Sequence, residues 1–170
     1  MTSDVHDPVD AACRRVDALI NDAASRHEIL TCLVGAAEQV AGPRAVCSIL
    51  VLDREGLLRN GASPSLPRDY LNAIDRLKPD PAVGTCAAAA ASGHIVITPS
   101  FLADEKWAEL RHLPLALGFV GAWSLPIKTA DGRVLGTFGT YYRDHREPSE
   151  VELTAVRRLA SAAVPALDVR

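Results

Sequence analysis

Residues 119–142 carry two strand-length stretches, Phe119 to Ile127 and Arg133 to Tyr142, joined by Lys128-Thr129-Ala130-Asp131-Gly132. An Asp-Gly pair between apolar runs marks a hairpin, because Gly takes the positive φ that a tight turn requires. A second hairpin is written upstream. Ala45 to Leu52 is a short apolar run, Asp53-Arg54-Glu55-Gly56 is turn chemistry, and Leu57 to Ala62 is the return strand. His94 to Thr98 reads as one more short strand.

Helical signals surround these strands. Asp7-Pro8 marks a helix start, followed by Val9, Cys13, Val16, Leu19 and Ile20 at helical spacing. Ser25-Arg26-His27-Glu28 is a capping box, and Ile29, Leu33, Ala36, Ala37 and Val40 follow on one face until Gly42-Pro43 ends the helix. Arg68 to Leu77 reads as a short helix with Tyr70, Leu71 and Ile74 inward. Cys86 to Ala91 is an alanine-rich helical turn closed by Gly93. Ser149-x-x-Glu152 is a second capping box, opening a helix striped by Val151, Leu153, Val156, Leu159, Ala160 and Ala163, with Pro165 near its end. This order predicts an α+β fold, a central antiparallel sheet of five to six strands with helices packed on it. Residues 1–24 are expected to form an N-terminal helical extension and residues 25–168 the domain.

Charge and composition exclude several classes of function. The 170 residues carry a formal net charge of −3, so no basic face offers itself to nucleic acid. No window approaches the roughly 18 apolar residues of a membrane span. The first residues lack the basic start and apolar stretch of a signal peptide, and a cytoplasmic location is expected. The four cysteines, Cys13, Cys32, Cys47 and Cys86, show no CxxC pair and no zinc spacing. The five histidines are scattered without metal-ligand spacing, and no GxSxG, HExxH, P-loop or GxGxxG motif occurs.

From about Ile29 to Leu167 the chain resembles a GAF domain. Cys47 to Asp53 is similar to that family's first strand and Leu57 to Ala62 to its second. Ala82-Val83-Gly84-Thr85-Cys86 resembles its GxGxC loop, and Asp104-Glu105-Lys106-Trp107 its D-x-x-W segment. Ala122-Trp123-Ser124-Leu125-Pro126-Ile127 and Gly132-Arg133-Val134-Leu135-Gly136-Thr137-Phe138 resemble its WSxPI and GxVLGTF strands. The resemblance implies terminal helices on one face of the sheet, and short helices and loops roofing a small-molecule pocket on the other. It also implies a homodimer formed through the terminal helices. On that reading a charge at Val156 or Leu159 gives monomers. With no output domain written in these residues, a sensory signal passes to a separate partner protein.

The resemblance also brings candidates for chemistry. Free methionine-(R)-sulfoxide reductases resemble GAF domains and carry a cysteine that Cys86 matches. Returning sulfur to its reduced state needs a second thiol, and no cysteine follows Cys86. A non-enzymatic module is therefore expected, with the thiol reductase and a purely structural dimerisation module as alternatives. The Asn-Lys of cyclic-nucleotide binders and the Cys-His of bilin binders are absent. His94 and His112 read as surface or capping residues rather than haem ligands, so no motif identifies haem, bilin or metal as cofactor. The candidate pocket residues are Tyr70, Thr85, Cys86, Trp107, Trp123, Ser124, Phe138 and Thr140. Thr85 is a candidate helix cap, which would set Cys86 at a helix N-terminus where a thiol pKa falls. Alternation puts Trp123 and Leu125 on one face of their strand and Ala122 and Ser124 on the other, with neither face marked as pocket.

Overall fold

A computed structural model describes residues 3–168. Its centre is one antiparallel sheet of five strands: β1 (Ala45–Leu52), β2 (Leu58–Ala62), β3 (Val96–Thr98), β4 (Gly121–Lys128) and β5 (Val134–Tyr142). Their spatial order is β2-β1-β5-β4-β3. The long hairpin pairs Ser124 with Gly139 and Leu125 with Phe138, and β1 lies along the far side of β5, with Ser48 opposite Gly139. β1 and β4 are buried along nearly their whole length. Both of their faces are covered, which is why they read as runs rather than alternations.

Three long helices cover one face: α1 (Ser3–Asn21), α2 (Arg26–Ala41) and α6 (Glu150–Leu167). Leu30, Leu33 and Leu159 from this layer meet Ile49, Trp123, Ile127 and Phe138 of the sheet in the larger core. Both capping boxes form on their hydroxyl side, Ser25 accepting from the Glu28 N–H and Ser149 from the Glu152 N–H, each at 3.1 Å. These bonds satisfy N–H groups that a helix start leaves without partners. α1 begins earlier than Asp7-Pro8 suggested and carries Pro8 inside it. A proline near a helix start removes only one backbone bond.

The other face is roofed by α3 (Arg68–Ala73), α4 (Cys86–Ser92), a 3₁₀ turn (Glu105–Trp107) and α5 (His112–Ala116). α3 stops at Ala73, short of Leu77. Arg76, at φ 64°, turns the chain back, so that its N–H donates to the Leu58 carbonyl while the Leu58 N–H donates to that of Leu77. The backbone bonds that would have extended the helix are spent on the sheet edge instead. Gly93 closes α4 at φ 72°, with its N–H on the Ala89 carbonyl. Among the described residues no helix is long and apolar enough to cross a membrane.

Candidate functional site

The roof meets the sheet through a second apolar cluster built on Val46, Leu50, Ala122 and Tyr141 from the strands and Tyr70, Phe101, Trp107 and Phe119 from the loops and short helices. Strand alternation then sorts the faces. Residues 122 and 141 look to the roof, whereas Trp123, Phe138 and Tyr142 look to the helical layer. Of the eight residues singled out in sequence, Tyr70, Thr85, Cys86 and Trp107 surround one small internal space beneath the roof. Ser124 shares the roof-facing register of Ala122. Trp123 and Phe138 instead pack in the core under the helices, and Thr140 bonds Cys47 there, at 3.5 Å.

That internal space is also walled by Leu50, Ile74, Leu77, Gly84, Leu110 and Tyr141, and its free volume is about 20 Å³. Such a volume holds about one water. Sequence reasoning passed over Tyr141. Its alternation with Phe138 was visible, but nothing marked its face as the one beneath the roof.

Hydrogen bonds tie the roof together. Tyr70 donates to the Tyr141 hydroxyl at 2.8 Å, with the rings edge-to-face. Trp107 Nε1 donates to Thr85 Oγ1 at 2.8 Å, and Thr85 and Thr98 share a bond of 2.9 Å. An indole N–H only donates, so the Thr85 oxygen accepts from Trp107, while either threonine can donate in the bond they share. Burial works to raise the Asp104 carboxyl, but bonds from Lys106 and Thr98 outweigh it and hold it below its usual value. Thr85 is therefore no side-chain cap for α4; its hydroxyl is spent on Trp107 and Thr98.

Cys86 differs from expectation as well. Burial pushes its thiol pKa up, and the neighbouring Ser124 and Thr137 hydroxyls only partly oppose this. The short α4 offers too little dipole to overcome desolvation. Both hydroxyls are fully buried, yet neither completes a hydrogen bond of normal geometry. No second thiol approaches from the same side: Cys47 lies in the core on the helical face, and Cys13 and Cys32 pack against that core from α1 and α2.

A larger, open groove of about 500 Å³ runs between the β3–β4 edge and α6, past His94, Lys128 and Arg157. Its Lys128 ammonium is engaged by the Gly93 carbonyl at 2.9 Å. It is a surface trough, whereas the polar groups around the roofed space are buried and bonded to one another. Among the described residues no group of three or more His, Cys, Asp or Glu is set to hold a metal.

A family model described as "GAF domain" matches residues 23–168. The chain is 36% identical over 155 residues to the methyl sulfide methyltransferase-associated sensor of Methanosarcina acetivorans, an alignment covering 91% of this chain and 15% of that protein. The chain thus spans about 15% of that relative's length. It also resembles the GAF domain of a phosphoenolpyruvate-protein phosphotransferase from Coxiella burnetii, with TM-score 0.72 and 17% identity over 93% of this chain and 91% of that one. A type II free methionine-R-sulfoxide reductase from Thermoplasma acidophilum is similar too, with TM-score 0.68 and 15% identity over 84% of this chain and 92% of that one. At these identities the two structures speak for the fold alone.

Proposed function

The chain belongs to the GAF domain family, and on that premise we propose that it is a cytoplasmic sensory module that binds a small molecule and signals through a partner protein. Residues 25–168 form the sensing domain on this reading, residues 1–24 its helical extension, and the terminal helices pair two copies. The observation that carries it is the roofed space, where Tyr70, Thr85, Cys86, Trp107 and Tyr141 bring buried polar groups into an otherwise apolar wall. The sensor named among its relatives supports the sensory part. Trp123, Phe138 and Thr140 belong to the core on this reading rather than to the pocket.

The same observation speaks against enzymatic turnover. Cys86 is a buried thiol of raised pKa, with no second thiol on its side of the sheet. Thiolate attack needs the ionised form, and release needs the partner.

The small free volume favours a second reading, a structural module whose pocket is filled by its own aromatic rings. Native mass spectrometry of protein purified from cells, with thermal shifts against a metabolite panel, separates the two. A co-purifying molecule, or a metabolite that raises the melting point, supports the sensor. Protein that emerges empty and is shifted by nothing supports the structural module.

A further inference from the structure

Lys128 ends β4 at a break in the ladder, where the pairing with β5 shifts register between Ile127 and Lys128. Such an irregularity frees a side chain from strict alternation. Lys128 joins Leu125, from the face beneath the helices, in lining the open groove of about 500 Å³ beside α6. A space of this size suits a small organic molecule.

The floor of the groove is apolar, made by Ile95, Leu125 and Ala160. Arg157 and Ser161 border it from α6, one turn apart and so on one side of that helix, and Lys128 borders it from the strand. No Asp or Glu is among the lining residues. Asp131, on the adjoining turn, accepts from the Thr129 hydroxyl. The Lys128 ammonium gives one proton to the Gly93 carbonyl at 2.9 Å, a neutral partner that leaves two donors and the charge unanswered. Arg157 enters no ion pair among the described residues, whereas its neighbour Arg158 is held by Asp10 at 2.6 Å. Within a chain of net charge −3, two uncompensated cations thus border one apolar floor. A guanidinium grips two oxygens of a phosphate with its fork, and an ammonium adds a point charge. A neutral molecule gains nothing from either cation, and a second cation is repelled by both.

We propose that this groove is a second ligand site, taking a small dianion of the phosphate-monoester class. Lys128 and Arg157 hold the phosphoryl group, and the apolar ester part lies on Ile95, Leu125 and Ala160. The groove is on the opposite face of the sheet from the roofed space, and the proposal does not rest on the reading of that space.

Phenyl phosphate and phenol, which share a ring and differ in charge, are titrated into labelled protein. The methyl signals of Ile95, Leu125 and Ala160 report on the groove, and the Trp107 indole N–H reports on the roofed space. Phenyl phosphate is expected to move the groove methyls saturably and leave Trp107 in place, while phenol leaves the groove methyls unmoved. Lys128 and Arg157 are exposed, so Lys128→Gln and Arg157→Gln keep the fold, as circular dichroism checks. Each is expected to weaken phenyl phosphate about three-fold and the pair about ten-fold. Arg54→Gln/Arg68→Gln removes two exposed charges from the β1–β2 turn and α3 and is expected to bind as wild type does. Groove methyls that stay still, or that move as far with phenol, overturn the proposal. So does a Lys128→Gln/Arg157→Gln protein that binds as tightly as wild type, or an Arg54→Gln/Arg68→Gln protein weakened as much, which would make net charge the cause. Phenyl phosphate that moves Trp107 alone also overturns it and leaves the sensor reading of the roofed space intact. A roofed space that proves empty in the metabolite panel leaves the groove untouched.

Discussion

The Cys86 sulfur rests on Gly139, so near that a Cβ on Gly139 would stand 3.0 Å from it. Gly139 lies between Ser48 and Ser124 in the middle of the sheet. The roof helix α4 thus descends onto a strand residue that has no side chain. This contact sets how far α4 stands from β5, and so how much room is left beneath the roof.

Gly139→Ala is expected to destabilise by about 1–3 kcal/mol, the usual cost of overfilling a packed core. Cys86→Ala removes the sulfur that the new methyl would strike. The double variant should therefore lose less than the sum of the two single losses, by at least about 0.5 kcal/mol. Urea unfolding of the four proteins measures this coupling. Additive losses would mean that α4 does not bear on the sheet at Gly139.

Alkaline pH should weaken the fold in a defined window. Burial pushes the Cys47 thiol from its ordinary 9.0 up to about 12, with only its bond to Thr140 pulling strongly the other way. Below pH 9 both folded and unfolded chains hold this proton, and its contribution is whole. Above pH 9 the unfolded thiol ionises while the folded one cannot, so stability falls as pH rises toward 12. The loss amounts to roughly 4 kcal/mol across the window. Burial also raises Tyr70 and Tyr141, which add to the decline above pH 10. Urea midpoints at pH 8, 9 and 10 should decline, and Cys47→Ala should flatten the step from 9 to 10. An unchanged step in that variant would acquit Cys47.

The elements that could be read from sequence are those specified by neighbours in the chain. The turn at Asp131-Gly132, the Ser25 and Ser149 caps and the run from Ala45 to Leu52 are local signals, and each has its counterpart in the fold. What escaped depends on distant partners. Trp123 and Phe138 are as apolar as Tyr70 and Trp107, and only the order β1-β5-β4 and its two coverings decide which pair meets the helices. β4 is buried on both sides, so no polar face labelled its outside. Thr85 looked like a cap because it precedes a helix; it is drawn away by Trp107, 22 residues on.

The base of α6 is held by a buried polar knot. Tyr142 donates to the Glu152 carboxylate and accepts from Trp123 Nε1, while Arg146 donates to Glu152 at 3.2 Å and to the Ala41 carbonyl at 2.9 Å. The Arg146 guanidinium also lies 4.1 Å from the Tyr142 ring centre. Glu152→Ala leaves the buried Tyr142 O–H without its acceptor and takes from Arg146 one of its two carboxylate partners, Asp144 remaining, and should cost about 1–3 kcal/mol. Glu152→Gln keeps an acceptor oxygen and should cost less. Chemical denaturation distinguishes them; a Glu152→Ala protein as stable as wild type would show the knot to be ornamental.

Pairing through the terminal helices needs a different probe from the one their apolar stripes suggest. Val156 and Leu159 face inward and are 3% and 0% exposed, so a charge at either is expected to unfold the domain before it can report on a dimer. Leu159→Ala alone should cost about 2–5 kcal/mol. Among the described residues, the large apolar side chains that α1 and α6 present to solvent are Ile20, 37% exposed, and Val151, 48% exposed. Ile20→Glu and Val151→Glu should each keep the helical signal in circular dichroism and change stability by no more than about 0.5 kcal/mol. If two copies meet on this layer, light scattering should show the doubly substituted protein at half the mass of wild type. A wild-type monomer, or a dimer untouched by both charges, removes the helices as the contact.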